Sequence, residues 1–340
     1  MRVLLTGASG FLGANCLRYL LDETDWDIVC PASFSHRGVP ERITMTVRTA
    51  CPVDEWQRVT VVTCDLATPI ADTTAALFGD VDCVINFASE SHIPRSLANP
   101  VPFVQNNINA MLHVLEYARS LPGLRAFVQI STDEVYGPSS TGGHAEWSSI
   151  QPSTPYSASK AAQEALAIAY WRSFGLPLVL ANTMNPIGPM QDPEKFVPMA
   201  IGRVLRGETV SIHAGADGQI GSRVYVNARD LASAITHVLQ APPARYGDAG
   251  VERPDRWNVV GERDVDNFEL AHLIADCLGL RLRHEMVLSD RPGHGLRYAL
   301  DGAKLANAGW KSQWCIEDSV EALVAWSLAN PLWSNRIPRP

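Results

Sequence analysis

The sequence predicts an α/β protein: a doubly wound parallel sheet, followed by a smaller C-terminal α/β lobe that binds substrate. Three observations carry this. Apolar runs of strand length alternate with stretches of helical spacing through the first half of the chain. The first run, Val3-Leu4-Leu5, leads into Gly7-Ala8-Ser9-Gly10-Phe11-Leu12-Gly13, a glycine-spaced turn opening a helix. After Asn182 proline and glycine become frequent, and the elements shorter and less regular.

In chain order, the strand Val3-Leu4-Leu5 is followed by a helix over 11–21, where apolar residues recur at helical spacing. Strands are expected at 26–30, 59–64, 83–87, 126–130 and 178–181, and helices at 109–120 and 157–174, the latter rich in alanine. The stretch 35–57 reads as a long, weakly patterned connection, a lid or an insertion. This places a dinucleotide-binding Rossmann domain at 1–181 and mainly a substrate-binding lobe at 182–340. The segment near 223–242 is a candidate to return to the first domain.

The 340 residues are 46% hydrophobic and 19% charged, a globular composition. A net charge of −8 disfavours general binding to nucleic acid or to an anionic membrane. No stretch approaches the roughly 20 apolar residues of a membrane span, and the N-terminal apolar run is short for a secretory signal. The seven cysteines form no CxxC pair, so no metal site is expected. An odd cysteine count suits a reducing cytoplasm, the expected location.

In the glycine turn, Gly7, Gly10 and Gly13, with Phe11 and Leu12, let the backbone approach a pyrophosphate at the N-terminus of a helix. A nicotinamide dinucleotide is the expected cofactor. NAD-binding chains of this kind carry a carboxylate at the end of the second strand for the ribose 2′-hydroxyl. Here Cys30-Pro31-Ala32-Ser33-Phe34-Ser35-His36-Arg37 has none, and Ser33, His36 and Arg37 can receive a 2′-phosphate. The charge logic favours NADP over NAD. Asp65, with Leu66 beside it, follows the third strand and is placed for the adenine amino group.

Tyr156-Ser157-Ala158-Ser159-Lys160 puts Tyr156 and Lys160 four residues apart, on one helix face. An ammonium beside the phenol is expected to lower its pKa. The phenolate then takes the proton of an alcohol while hydride leaves the same carbon. Ser131-Thr132-Asp133-Glu134-Val135-Tyr136-Gly137 follows the fifth strand, at the sheet edge where such folds bind ligands. Thr132 can donate to a substrate oxygen, and the pair Asp133 and Glu134 suits a reaction needing both an acid and a base. Taken alone, that pair also fits a solvated acidic turn or a helix cap.

Together these residues resemble the extended short-chain dehydrogenase/reductase family, and within it the dTDP-glucose 4,6-dehydratases. The resemblance runs along nearly the whole chain. It includes Ala88-Ser89-Glu90-Ser91-His92, Asn107-Ile108, Gly188-Pro189, Pro193-Glu194-Lys195, Ser222-Arg223, Trp257-Asn258-Val259 and Arg291-Pro292-Gly293-His294. It implies an internal redox dehydration of a nucleotide-activated hexose, with a tightly bound cofactor recycled each turn. Tyr156 would deprotonate the C4 hydroxyl, oriented by Thr132. Glu134 would remove the C5 proton and Asp133 protonate the departing C6 hydroxyl. Lys160, Ala88 and Asn107 would serve the cofactor. Ser91, His92, Asn185, Glu194, Lys195, Arg223, Asn258, Arg291 and His294 would hold the substrate. The resemblance also implies a homodimer through the helices at 109–120 and 157–174.

The chain departs from the family pattern near the expected substrate site. Pro94 stands where an aspartate is usual, Asn185-Pro186-Ile187 where Asn-Asn-Tyr is, and Val224-Tyr225 where Asp-Trp is. A nucleotide-sugar epimerase or a 5,6-type dehydratase shares the first half-reaction and is the nearer alternative. A non-catalytic dinucleotide sensor is the alternative of another class.

Overall fold

The computed structural model describes residues 1–34, 38–139, 141–240, 253–288, 295 and 297–334. The chain runs β1 (Arg2–Thr6), α1 (Phe11–Glu23), β2 (Asp27–Ala32), α2 (Pro40–Ala50), β3 (Val59–Thr63), α3 (Asp72–Phe78), β4 (Cys83–Asn86), α4 (Ile93–Ala98) and α5 (Pro100–Arg119). Next come β5 (Ala126–Thr132), α6 (Pro155–Phe174), β6 (Leu178–Thr183), β7 (Asn185–Ile187), α7 (Phe196–Leu205), β8 (Val210–Ala214), β9 (Ser222–Asn227) and α8 (Ala228–Gln240). The last elements are β10 (Asp255–Val259), β11 (Asp264–Asp266), α9 (Asn267–Leu278), β12 (His284–Leu288), β13 (Arg297–Tyr298), α10 (Ala303–Asn307), α11 (Ile316–Ala329) and α12 (Pro331–Ser334).

Among the described residues the central sheet has seven strands in the order β3-β2-β1-β4-β5-β6-β10, all parallel. The reversal beside β1 opens a crevice at the carboxyl ends of β1 and β4, where doubly wound folds bind ligands. Both faces of the sheet are covered. On one, Leu17 and Leu20 of α1, Ile43 of α2 and Leu231 and Ile235 of α8 pack on Leu5, Ile85 and Val128. On the other, Met111 and Leu115 of α5 and Ala167 and Tyr170 of α6 pack on Leu4, Val84 and Phe127. A separate core joins α7, α9 and α11 to β8 and β9, through Val197, Ile201, Leu270, Ile274 and Val320.

Helix α6 is set by its ends. Thr154 and Ser157 form a reciprocal capping box, Pro155 occupies the first turn, and Gly175 closes the helix in the left-handed region at φ 68°. Its buried face, Tyr156, Ser159, Lys160, Gln163, Glu164, Ala167 and Tyr170, is polar at its N-terminal half and apolar beyond.

The structure corrects two sequence-based expectations. The stretch 35–57 is not a weakly patterned connection, since it contains α2 and a 3-10 helix, Val53–Arg58. α2 escapes pattern reading because its buried face carries Arg42 and Thr46 beside Ile43. The Arg42 guanidinium donates to the carbonyls of Ser9 and Met190 and pairs with Asp192 at 3.0 Å. α5 begins at Pro100, well before residue 109, because prolines in a first turn forfeit no helical hydrogen bond. The segment near 223–242, the candidate to return to the first domain, contains α8, which packs against α1, and β10 extends the first sheet beside β6. The polar run Asp255-Arg256-Trp257-Asn258 hides a buried strand.

Leu231 is 1% exposed in the α1–α8 contact. Leu231→Ala is expected to cost about 2–5 kcal/mol in chemical denaturation, the usual range for an unfilled core cavity. A loss below about 1 kcal/mol would mean that α8 does not pack on the first sheet as described.

Candidate active site

The crevice is a cleft of about 690 Å³. Its floor is the glycine turn. Gly7 has φ +70°, and a Cβ there would lie 3.0 Å from the Phe87 carbonyl carbon. A Cβ at Gly13 would sit 2.2 Å from the Gly7 oxygen, so α1 packs on the turn only with glycine at this place. Gly10 caps α1 without a side-chain hydrogen bond. The first-turn N–H groups of α1 are thereby available to a phosphate. Phe11 and Leu12 also line this end, as do Ser33, Asp65, Leu66 and Ala88. Asp65 Oδ1 accepts from the Ala67 N–H at 3.0 Å. These residues fit a dinucleotide, which needs a Cβ-free cradle at its pyrophosphate. His36 and Arg37 lie outside the described residues.

Asn107, expected at the cofactor, is fully buried behind the cleft. Its side chain holds both backbone polar groups of Glu90, and Nδ2 also donates to Ser159 Oγ at 2.8 Å.

The chemistry sits where β5 ends. Thr132, Asp133, Glu134, Tyr156 and Lys160 all line the cleft. Thr132 Oγ1 donates to Asp133 Oδ1 at 2.9 Å and accepts from the Glu134 N–H at 3.3 Å. Lys160 Nζ donates to the Ile130 carbonyl at 2.8 Å and to Gln163 Oε1 at 2.7 Å. An ammonium has three N–H groups, so one remains to meet a ligand. Asp133 Oδ2, Glu134 Oε2 and Ser131 Oγ are buried and have no hydrogen-bond partner. Three such atoms lining one cleft are polar groups arranged for a ligand.

Burial raises the Asp133 carboxyl to about 6, against the opposing Thr132 hydrogen bond and the Arg223 charge. Burial and the neighbouring Asp133 charge raise Glu134 to about 8. The adjacent pair therefore retains one proton near neutrality, as an acid/base couple must. Burial lowers Lys160 to about 8, opposed by the Glu164 charge. The expectation of a lowered Tyr156 pKa is not met in the protein itself. Burial, then the charges of Glu134 and Asp133, push the phenol up, with only the Thr132 hydrogen bond opposing. The Lys160 ammonium is turned instead to the Ile130 carbonyl and Gln163.

The far wall carries Ser91, His92, Asn185, Glu194, Lys195 and Arg223. Lys195 Nζ donates to the Ser91 carbonyl at 3.1 Å. Arg223 stacks over the Tyr298 ring at 4.7 Å. Two cations on one wall suit a diphosphate. Asn258, expected at the substrate, is fully buried away from this cleft, where its Nδ2 bridges the carbonyls of His144 and Asp301. Arg291 and His294 lie outside the described residues.

The sequence reading missed Glu90, Arg95, Arg203 and His213, which line the same cleft. Arg95 pairs with Glu90 at 3.5 Å and with Glu194 at 3.6 Å, tying α4 to the start of α7. Glu90 was visible within the Ala88–His92 motif. Arg203 and His213 carried no motif and are brought in only by the packing of α7 on β8.

Comparison with known proteins agrees with this geometry. The NAD dependent epimerase/dehydratase family matches residues 3–251. The Agl12 protein of Haloferax volcanii, named for low-salt glycan biosynthesis, is 33% identical over 97% of this chain and 99% of its own. A dTDP-glucose 4,6-dehydratase of Escherichia coli is 31% identical over 99% and 95%. The crystal structure of the Streptomyces venezuelae dTDP-glucose 4,6-dehydratase DesIV, with NAD bound, superposes with a TM-score of 0.85 at 30% identity, covering 98% of each chain. The chain belongs to the NAD dependent epimerase/dehydratase family.

Proposed function

We propose that this chain is a nucleotide-diphosphohexose 4,6-dehydratase, with dTDP-glucose the first substrate to test. The observation that carries the reading is the buried pair Asp133 and Glu134, each with an unpartnered oxygen, in one cleft with Tyr156. A 4-epimerase, which inverts only C4, has no use for a second acid/base couple.

Accepting hydride from the sugar and returning it is the chemistry the nicotinamide supplies when bound. The protein supplies the protons. Tyr156 takes the C4 hydroxyl proton, while Thr132 hydrogen-bonds at the same oxygen. In the protein alone the phenol is pushed up, so Tyr156 must lose its own proton before it can take this one, and the positive charge of a bound oxidised nicotinamide would favour that loss. The resulting C4 ketone acidifies the C5 proton. The Asp133–Glu134 pair then removes that proton and protonates the C6 hydroxyl, which departs as water. The resemblance assigns Glu134 as base and Asp133 as acid. Both carboxyls are raised by burial, so the pair shares a proton near neutrality, as this division of roles requires. Lys195 and Arg223 hold the diphosphate, and Lys160 keeps one N–H for the cofactor. The reduced C6 and reprotonated C5 leave a 4-keto-6-deoxy sugar and an unchanged cofactor.

We take NAD as that cofactor. DesIV is solved with it. Arg42, the buried cation lining the adenosine end of the cleft, is already engaged by Asp192 and two carbonyls. Dimerisation remains part of the proposal, with Val101 of α5 and Phe174 of α6 exposed on the helices concerned.

Mass spectrometry of the purified protein with dTDP-, UDP-, GDP- and CDP-hexoses is expected to find the mass of one water lost from one of them, without net cofactor reduction. Turnover without mass change would replace the reading with an epimerase. Tyr156→Phe should lower kcat by about 10²–10⁴-fold at the first oxidation, the range for a lost general acid or base. Dinucleotide released by denaturing the purified protein should be NAD, and recovery of NADP would reverse that choice.

Glu134→Gln should block elimination to a similar degree and also alter stability. A folded-state pKa raised to about 8 contributes stability that is complete below the ordinary carboxylate range and is lost as pH rises through it. The wild-type Tm should therefore fall between about pH 5 and about pH 9, and fall less in Glu134→Gln. Parallel Tm curves would show that Glu134 is not buried as described.

A further inference from the structure

Glu164 and Arg256 are fully buried and face each other at 2.7 Å, Glu164 on α6 and Arg256 on the edge strand β10. The chemistry described above does not use either one. Each reaches past the other to the turn that carries the two carboxylates. Glu164 Oε1 accepts from Asn182 Nδ2 at 2.8 Å, and the same Nδ2 donates to the Thr132 carbonyl at 3.1 Å. Arg256 Nη1 donates to the Tyr136 hydroxyl at 2.9 Å, and that hydroxyl donates onward to the Glu146 carbonyl at 2.7 Å. Thr132 and Tyr136 bracket Asp133 and Glu134. The network therefore grips the acid/base turn at both ends.

The other end of the network is α6, the helix that carries Tyr156 and Lys160 two turns and one turn before Glu164. We propose that Glu164, Arg256 and Asn182 form a positioning frame that sets the Asp133–Glu134 turn against Tyr156, so that oxidation at C4 and elimination at C5 and C6 are served from one bound sugar. This rests on the dehydratase reading and deepens it.

The energetics favour a positional role over a stabilising one. Two charges taken from water lose hydration, and a buried ion pair is often no more stabilising than apolar side chains of similar volume. Here the guanidinium is also packed over the Trp147 ring at 4.3 Å, a site an apolar side chain would fill. What apolar residues cannot do is fix the Thr132 carbonyl and the Tyr136 hydroxyl at once. The planar fork of arginine spans Glu164 and Tyr136 together, and a lysine ammonium in its place reaches one of them.

The test uses the full-length holoenzyme, the Arg256→Lys variant and the apolar pair Glu164→Met/Arg256→Met, with dTDP-glucose as probe substrate. Circular dichroism and thermal unfolding check folding first. In both variants KM should stay within about threefold of wild type while kcat falls about 10–100-fold, the scale of a displaced catalytic group. Reduced-nicotinamide absorbance should build up during turnover, because oxidation outruns elimination. Amide hydrogen exchange should quicken in peptides covering 132–137 and remain wild-type in the rest of β5 and in α6. A folded apolar pair with wild-type kcat and wild-type exchange over 132–137 overturns the frame. Failure of both variants to fold also overturns it, because the pair would then be a requirement of stability. If the wild type dehydrates none of the sugars, the proposed function fails, and the exchange comparison still decides the frame.

Discussion

Most of the active site depends on burying the polar face of one helix. α6 lays Tyr156, Ser159, Lys160, Gln163 and Glu164 against the sheet where an ordinary amphipathic helix would lay leucines. Each of those groups forfeits water and must find a partner inside the protein. Lys160 takes the Ile130 carbonyl and Gln163, and Ser159 takes Asn107. Gln163 donates to the carbonyl of Asn107, and Glu164 takes Asn182 and Arg256. Satisfying this list ties the helix to β5, β6, β10 and α5 at defined positions. A side chain that moved would leave an unpaired buried charge or dipole, which costs more than a lost surface contact.

The same cost explains the cleft. Asp133 and Glu134 are buried side by side without cationic hydrogen-bond partners, and both are harder to ionise for it. Such an arrangement lowers the stability of the folded chain at neutral pH and is held in place by the structure around it. Its effect is to keep a proton donor and a proton acceptor a residue apart, in a site that releases water. The unpartnered oxygens of Ser131, Asp133 and Glu134 belong to the same trade, since each keeps hydrogen-bonding capacity for a group brought into the cleft.

The substrate side is built differently. Arg95, Glu90, Glu194 and His92 lie partly exposed in a mixed-charge cluster between α4 and the start of α7. Pairs of this kind contribute little to stability individually. Their placement ties α4 to the start of α7 on the wall where Lys195 and Arg223 would meet a diphosphate. At the opposite end, Arg42 fastens α2 to the glycine turn through Ser9 and to the loop at Met190, with the Trp333 ring 5.1 Å from its guanidinium.

Local chemistry was legible from the residues alone. The glycine turn, the Tyr156 and Lys160 spacing, and the Thr132–Glu134 triplet are short-range patterns. Backbone conformation, helix periodicity and strand position act within a few residues, and so the sequence by itself determined the parallel sheet and the short motifs that come to line its cleft. Elements whose buried faces are polar were not legible. α2 with Arg42, and β10 with Arg256 and Asn258, look like surface until a distant partner is known. Asn107 and Asn258 illustrate the same limit from the other side, for a motif names the residue but not the direction of its amide. Only the tertiary structure decided that Lys160 faces the Ile130 carbonyl, that the phenol of Tyr156 is pushed up by burial and by the Glu134 and Asp133 charges, and that β10 closes the first sheet. The physical reason is common to all three: the energy of a buried charge depends on what surrounds it, and those surroundings come from segments far apart along the chain.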